Sequence, residues 1–262
     1  MYPISIPLFG PCAIHSFGLA IAIGLAVFSI CIFKSTQLKK LISQTQLSDA
    51  ILVGVIAALL GGRVLAIIGD QSLRSSMADW ISIWDGGLSS LGSVLGVLTL
   101  WPIYLHLYHI PVISFFDDIA VYAPIIHIFV RIGCFLAGCC FGCPTTMPWG
   151  IAYHHPDSLA PLACALHPTQ LYSIIALIGI QCFMLYAQKQ QPHPGVLCAW
   201  YLILTNSERF AVDFWRGDQE FLPYHAMHIF SLHQWIALIL VMCGVALLYW
   251  SHYNRSTTTN NL

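Results

Sequence analysis

Two stretches of the sequence place arginine in apolar surroundings, where a guanidinium group could hold an anion. The first contains Arg131, which lies inside an apolar run and precedes a glycine-rich stretch with Gly133 and Gly138. An arginine in the membrane costs about 2.5–3.5 kcal/mol on insertion scales, so it is usually retained for a function. Small residues let the backbone approach an anion closely. Taken alone, Arg131 is equally compatible with a side chain that extends to the membrane interface.

The second stretch, at the end of a later apolar run, favours the anion site. Arg209, Asp213 and Arg216 follow one another at spacings of four and three, which predicts a shared helix face. A guanidinium group can donate two parallel hydrogen bonds to a phosphate. Arg131 and Arg209, from separate helices, are therefore predicted to hold one phosphodiester. An ion pair between Arg209 and Asp213 is expected to hold the end of the helix at the same time.

Two further stretches could add polar contacts to such a site. His167, Gln170 and Tyr172 lie at the start of an apolar run, with a proline at the position where helices often begin. On pattern alone, Tyr172 fits an aromatic residue at the membrane interface better than a ligand. Glycines and serines at 85–96 predict a flexible, polar entrance to another helix.

Four of the 10 cysteines are concentrated at 134–143. Cys140 and Cys143 form a Cys-x-x-Cys pattern, which is compatible with several uses. Small structural residues or a disulfide come first, redox chemistry second and a metal site last. The histidines nearby lack the regular spacing of zinc ligands, so no metal ligand is assigned.

The elements that must position these residues are membrane helices. Of the 262 residues, 58% are hydrophobic and only 8% are charged, whereas about a quarter are charged in soluble domains. A bilayer is the solvent that accepts such a chain, and a net charge of −1 gives no field that would attract nucleic acid. We predict an all-α, polytopic membrane helix bundle of about seven transmembrane helices, at 12–33, 48–68, 87–106, 118–138, 170–188, 195–215 and 232–250.

The basic residues predict the orientation of these helices. With seven spans, all lysines fall on one side of the membrane: Lys34, Lys39, Lys40 and Lys189. That side is taken as cytoplasmic, which places the N-terminus outside and the C-terminus inside. Residues 1–253 are predicted to form a single membrane domain, and the Thr- and Asn-rich residues 254–262 a disordered tail.

Taken together, the four stretches resemble the motifs of the prolipoprotein diacylglyceryl transferase family. They occur in matching order over most of the chain, and the family's seven-helix membrane fold agrees with the number of apolar runs. The matching segments are Gly86-Gly87-Leu88-Ser89, Arg131-Ile132-Gly133, His167-Pro168-Thr169-Gln170-Leu171-Tyr172, and Arg209 with Asp213 and Arg216.

The resemblance implies a reaction in the bacterial cytoplasmic (inner) membrane that needs no metal or organic cofactor. The family transfers the diacylglyceryl group of phosphatidylglycerol to the lipobox cysteine in the signal-peptide segment of a prolipoprotein, and glycerol 1-phosphate leaves. Arg131 and Arg209 would hold the phosphate and stabilise the charge of the leaving group. The substrate-binding residues implied by the motifs are Gly86, Gly87, Ser89, Gly133, Gly138, His167, Gln170, Tyr172, Asp213 and Arg216.

Several positions differ from the family pattern. Leu91 stands where the family usually has a histidine, and Cys134, Cys139 and Ser173 stand where it has an asparagine, an acidic residue and a glutamate. The residues that remain unchanged are those that would hold the phosphate.

A replacement for the missing histidine is available in His127, one helical turn before Arg131 on the same face. We predict that His127 activates the incoming thiol, whose ordinary pKa of about 8.5 is close to neutral. A histidine that only packs within the bundle is the alternative. For the whole chain, the alternative is a family descendant that acts as a membrane thiol–disulfide or lipid-binding protein through Cys140 and Cys143.

Overall fold

The computed structural model describes residues 4–7, 13–69, 89–218 and 230–259. Because the sequence consists mainly of long apolar runs, most of these residues are helical. Within the described ranges the α-helices are α1 (Ser16–Lys34), α2 (Leu38–Leu41), α3 (Gln44–Gly69), α4 (Ser90–Leu107), α5 (Val112–Ala137), α6 (Thr169–Lys189), α7 (Val196–Val212) and α8 (Leu232–Thr259).

The strands in the described ranges are short and form two antiparallel pairs. β1 (Ile4–Pro7) pairs with β2 (Ala13–His15), and β3 (Ile151–Ala152) pairs with β4 (Ala165–Leu166). A single 3₁₀ turn, Asp213–Trp215, follows α7 among the described residues.

Five of the described helices are long and apolar enough to cross a membrane: α1, α3, α5, α6 and α8. The α4 helix is a shorter apolar helix, and α7 has 17 residues. Each of the seven predicted spans overlaps one of these seven helices, five of which are long enough to cross a membrane. The predicted class, an all-α polytopic membrane protein, is confirmed, and large apolar side chains such as Leu60 and Ile103 remain exposed because lipid rather than water would meet them.

The described chain contains two compact units, and the smaller one is Phe33–Phe115. Within it, α3 and α4 pack closely because glycines face each other. A Cβ atom at Gly92 would meet the backbone oxygen of Gly61, and one at Gly96 would meet that of Ala57. The indole Nε1 of Trp101 donates to the oxygen of Ala50 at 2.7 Å.

The other unit comprises Met1–Ile32 and Phe116–Leu262. Gly24 and Gly133 let α1 and α5 approach, since a Cβ atom at either position would press on the other helix. The buried carboxylate of Asp117 on α5 accepts hydrogen bonds from the backbone N–H groups of Gly195 and Cys198 at the start of α7. These five residues fix α5 as the element against which α1 and α7 are positioned.

The last helix runs further than the sequence predicts. The α8 helix ends at Thr259, so 254–259 are helical rather than part of an irregular tail. Polar Thr and Asn residues can continue a long helix at little cost once it is formed. The single domain over 1–253 stays a prediction.

Candidate functional site

The helix that carries Arg131 ends in a sharp turn at Gly138. Gly138 has a φ of +78°, and a side chain there would collide with Ser158 Oγ. The N–H of Cys139 donates to the oxygen of Cys134 at 3.1 Å, which satisfies one of the last carbonyls of the helix. The role of Gly138 in the structure is therefore to end α5 and turn the chain.

After this turn, residues 141–143 form backbone hydrogen bonds with two other segments of the chain, one on each side. On one side, Gly142 N–H donates to His167 O at 3.1 Å and His167 N–H donates to Cys143 O at 3.0 Å. On the other side, Cys143 N–H donates to Trp215 O at 2.8 Å and Gly217 N–H donates to Phe141 O at 3.0 Å. The segment 141–143 thus joins the start of α6 to the turn after α7, and three of the four sequence motifs meet there.

Gly142 lies at the centre of this arrangement and has no room for a side chain. A Cβ atom would come within 2.5 Å of the oxygen of His167 and 2.9 Å of the oxygen of Trp215. The close approach of three backbone segments therefore depends on glycine at this position.

Two polar side chains at the start of α6 donate hydrogen bonds to backbone oxygens of the turn. Thr169 Oγ1 donates to Cys140 O at 2.7 Å, and Gln170 Nε2 donates to Cys139 O at 2.7 Å. Gln170 Nε2 also donates to the hydroxyl of Tyr153 at 3.2 Å. Burial raises the pKa of Tyr153 to about 12, so the phenol stays protonated. The predicted binding residue Gln170 thus positions the turn.

His167 and Tyr172 form a small network at the edge of this region. The ring of His167 is hydrogen-bonded through Nδ1 to the Tyr172 hydroxyl at 3.1 Å, and Trp149 Nε1 donates to the same hydroxyl at 2.8 Å. Tyr172 also packs edge-on against the ring of Trp215. The motif residues are therefore brought together, and Trp149 is a partner to which sequence reasoning assigned no role.

The ion pairs at the end of α7 differ from the prediction. Arg216 donates through Nε and its terminal nitrogen to both oxygens of Asp218, at 2.9 and 3.1 Å, and contacts Asp213 Oδ1 at 3.4 Å. Burial alone would lower the pKa of Arg216, but the Asp218 hydrogen bond and nearby negative charges raise it above its usual range. The predicted Arg209–Asp213 pair is wrong, because α7 ends at Val212 and the following 3₁₀ turn directs Arg216 onto Asp213.

Arg131 and Arg209 come together without ion pairs of this kind. Both are half-buried, and they lie close enough for their positive charges to act on each other. Among the described residues, no carboxylate is within ion-pairing distance of either guanidinium group. Two like charges that are half-buried and unpaired are costly unless an anion joins them. The arrangement is therefore suited to bind an anion.

Several buried oxygens at the start of α6 and the end of α7 also lack hydrogen-bond partners within the part of the chain that the structure describes. They belong to Gln170 (Oε1), Asp213 (Oδ2) and Glu208 (Oε1), and the carboxyl group of Glu208 also interacts with Ser173. Buried polar atoms without partners are few in proteins and usually mark water or ligand. Glu208 lies within the field of both arginines. Sequence reasoning gave it no role, although its place next to Arg209 was a signal.

His127 lies near the arginine pair, as its helical position predicts. The charges of Arg131 and Arg209 both reach it. Its Nε2 atom is 2.9 Å from the hydroxyl of Tyr201 on α7, and the two rings meet edge-on. Tyr201 thus orients the imidazole of His127, whose role as a base stays a prediction.

The remaining predicted residues have different positions. Gly133 is packed against Phe17 and Ala20 of α1, so the contact that explains it is helix packing. Ser89, in the smaller unit, caps α4 by accepting a hydrogen bond from Gly92 N at 3.3 Å. Gly86 and Gly87 lie outside the described residues.

The cysteines are arranged differently from the Cys-x-x-Cys pattern. The Sγ atoms of Cys134, Cys139 and Cys140 lie together, whereas Cys143 Sγ donates to the oxygen of Arg216 at 3.4 Å. All described cysteines are free thiols. Of the two leading alternatives, small structural residues or a disulfide, the described part of the chain therefore contains no disulfide. Hydrogen bonds from Cys134 and Cys139 lower the pKa of Cys140, and the charges of Arg216 and Arg131 act in the same direction.

A helical membrane fold with two adjacent arginines that have no ion-pair partner among the described residues is expected of proteins that handle an anionic lipid group. Comparison with known families makes this specific. The family model described as prolipoprotein diacylglyceryl transferase matches residues 3–250, and the chain belongs to this family. The resemblance seen in the motifs is thereby confirmed.

Individual relatives agree over nearly the whole chain. A phosphatidylglycerol–prolipoprotein diacylglyceryl transferase of Clostridium tetani is 29% identical over 245 residues, which cover 94% of this chain and 96% of the relative. A protein of the same name from Nitrosomonas europaea is 31% identical over 258 residues, covering 95% and 90%. One from Cupriavidus pinatubonensis is 29% identical over 263 residues, covering 97% and 92%. These names do not favour a thiol–disulfide protein.

Proposed function

We propose that this protein transfers the diacylglyceryl group of phosphatidylglycerol to the lipobox cysteine of prolipoproteins. The observation that carries the proposal is the half-buried pair of Arg131 and Arg209. The two positive charges repel each other, and neither guanidinium group has a carboxylate at ion-pairing distance among the described residues. A phosphodiester supplies the missing negative charge. Family membership and the names of the relatives support the identity of both substrates.

In this reaction the cysteine sulfur attacks the glycerol carbon that carries the phosphate. A carbon–sulfur bond forms, the carbon–oxygen bond to phosphate breaks, and the electron pair leaves on glycerol 1-phosphate. Negative charge therefore grows on the phosphate oxygen in the transition state. Arg131 and Arg209 stabilise that charge, and removal of one such donor typically costs about 10²–10³ in kcat.

The thiol must lose its proton before or during the attack. His127, oriented by Tyr201 at 2.9 Å, accepts this proton. Glu208 gives the arginines partial compensation when no phosphate is bound, since it lies in the field of both.

The proposal places the protein in the bacterial cytoplasmic membrane with its N-terminus outside and its C-terminus inside. In that orientation the turn 138–143 and the start of α6 lie on the outer side. The signal-peptide segment of an exported prolipoprotein presents its cysteine on that side, so thiol and lipid headgroup can meet.

The decisive test combines complementation with a transfer assay. The protein should restore growth of a strain depleted of its own transferase, and the purified protein should move label from phosphatidylglycerol to a lipobox peptide. Arg131→Ala should abolish both, whereas Cys143→Ser should leave both intact. Loss with Cys143→Ser and retention with Arg131→Ala would favour the thiol–disulfide alternative instead.

A further inference from the structure

Three cysteine thiols lie together at the carboxyl end of α5, in a cluster that the transfer reaction does not use. The Sγ atoms of Cys134, Cys139 and Cys140 are all within 4.8 Å of one another. Cys134 is buried, with 5% of its surface exposed, and the other two are half-buried. The cluster is therefore partly shielded from solvent.

The backbone around the cluster is held in place by contacts from outside it. Cys140 has a φ of +57°, an unfavourable conformation for a residue with a side chain. The side chains of Thr169 and Gln170 hold the carbonyl groups of Cys140 and Cys139, each at 2.7 Å. Strain that is maintained by partly buried hydrogen bonds indicates that the positions of these sulfurs are built into the fold.

We propose that Cys134, Cys139 and Cys140 bind one thiophilic cation, such as Zn²⁺ or Cu⁺, through their three sulfur atoms. Thiolate sulfur is the ligand that such ions prefer in proteins. A zinc–sulfur bond of about 2.3 Å puts two sulfurs of one ion about 4 Å apart, which small rotations of these side chains can reach. Binding releases the thiol protons, and the ion takes their place.

The charges around the cluster suit a thiolate-bound cation. Three thiolates around Zn²⁺ or Cu⁺ leave a net negative charge, and the positive charges of Arg216 and Arg131 reach Cys140. Cys143 lies outside the cluster, and its Sγ atom donates a weak hydrogen bond to the oxygen of Arg216 at 3.4 Å. Three ligands leave one coordination position open for water or another small ligand.

A bound cation would connect the last turn of α5 to the segment that pairs with the start of α6 and with the turn after α7. Its expected effect is to stiffen the backbone next to Arg131. This effect concerns the local fold near the arginines. The proposed metal site therefore does not depend on whether the protein transfers lipid.

The test is titration of the purified full-length protein, in detergent and reduced with a thiol-free reagent, with Cd²⁺ as a spectroscopic probe. Thiolate ligation of Cd²⁺ gives an ultraviolet charge-transfer band. One equivalent should produce the band, and Zn²⁺ or Cu⁺ should remove it by competition. Cys139→Ser and Cys140→Ser should each weaken binding at least about tenfold, because a hydroxyl is a poor ligand for soft ions. Cys143→Ser, in the same segment but outside the cluster, should bind as the wild type does.

Absence of the band, or equal binding by the Cys139→Ser variant, would overturn the proposal. So would an equal loss in the Cys143→Ser variant, or a disulfide within the cluster in protein purified without reductant. The transfer assay on the same samples separates the two proposals, since wild-type protein that transfers lipid without binding Cd²⁺ refutes only the metal site.

Discussion

Arg209 and Arg216 are close in sequence, yet their guanidinium groups meet different surroundings. Arg216 is hydrogen-bonded to Asp213 and Asp218. Arg209 lies close to the charge of Arg131 and has no ion-pair partner among the described residues. A guanidinium group that already has carboxylate partners gains little binding free energy from a phosphate. A guanidinium group next to a like charge gains much more, because the phosphate offsets the repulsion. We therefore assign phosphate binding to Arg131 and Arg209, and support of the site to Arg216.

Removal of Arg216 should mainly reduce stability. Arg216→Ala leaves the carboxylate of Asp213, which is 1% exposed, without its cation, and breaking a buried pair costs about 3–5 kcal/mol. Thermal unfolding in detergent measures the change, with Lys189→Ala as a control at an exposed position. An unchanged unfolding temperature together with lost transfer would show instead that Arg216 contacts the substrate.

The proposed base can be tested through the pair of His127 and Tyr201. His127→Ala should lower kcat by about 10²–10⁴, the usual contribution of a general base. Tyr201→Phe removes only the hydrogen bond that orients the ring, at 2.9 Å, and should cost less than about tenfold. The transfer assay at constant peptide concentration gives both values. Undiminished transfer by His127→Ala would end the role of His127 as base.

At the scale of elements, the three motif segments are joined by backbone pairing at the segment 141–143. The apolar runs were sufficient to locate the long helices, because helix length and hydropathy are local properties of the sequence. The pairing of Gly142 with His167 and Trp215 was not predictable, since it joins residues far apart in the sequence through bridges of two or three residues. The same limit applies to Arg216, because no residue in this stretch indicated that helical spacing would stop at Val212.

Gly142→Ala should disrupt the backbone pairing of these three segments. The added methyl group would collide with His167 and Trp215, and overpacking of this kind costs about 1–3 kcal/mol. Both transfer and the unfolding temperature should fall. Gly179→Ala on α6 is the matched control, because nothing lies within 4 Å of its added Cβ, and it should be neutral or stabilising by up to about 1 kcal/mol. If Gly142→Ala behaved like Gly179→Ala, the close approach of the three segments would be in doubt.

At the scale of the whole molecule, the amino-acid composition was sufficient to predict the class of protein. The distribution of the lysines led to the proposed orientation. Only 8% of the residues are charged, and long helices keep large apolar side chains on their surfaces, as a lipid environment requires. Insertion of such a chain is governed by basic residues in short loops, so its orientation is a separate and measurable property.

The proposed orientation predicts which cysteines an impermeant reagent can reach. Cys143 is exposed and lies after α5, so a membrane-impermeant maleimide should label it in intact spheroplasts. The variant Cys143→Ser identifies the label that belongs to this residue. A cysteine introduced by Gln190→Cys, after α6, should be labelled only when the membrane is permeabilised. The opposite pattern would invert the orientation.

The most direct test of the central claim is a double-mutant cycle on the two arginines in the phosphatidylglycerol transfer assay. If Arg131 and Arg209 hold the same phosphate, each single change to alanine should lower kcat/KM by about 10²–10³. The double variant should then lose little more than either single variant, because the two groups act as a unit. Fully additive losses, or full activity in either single variant, would contradict a shared phosphate site.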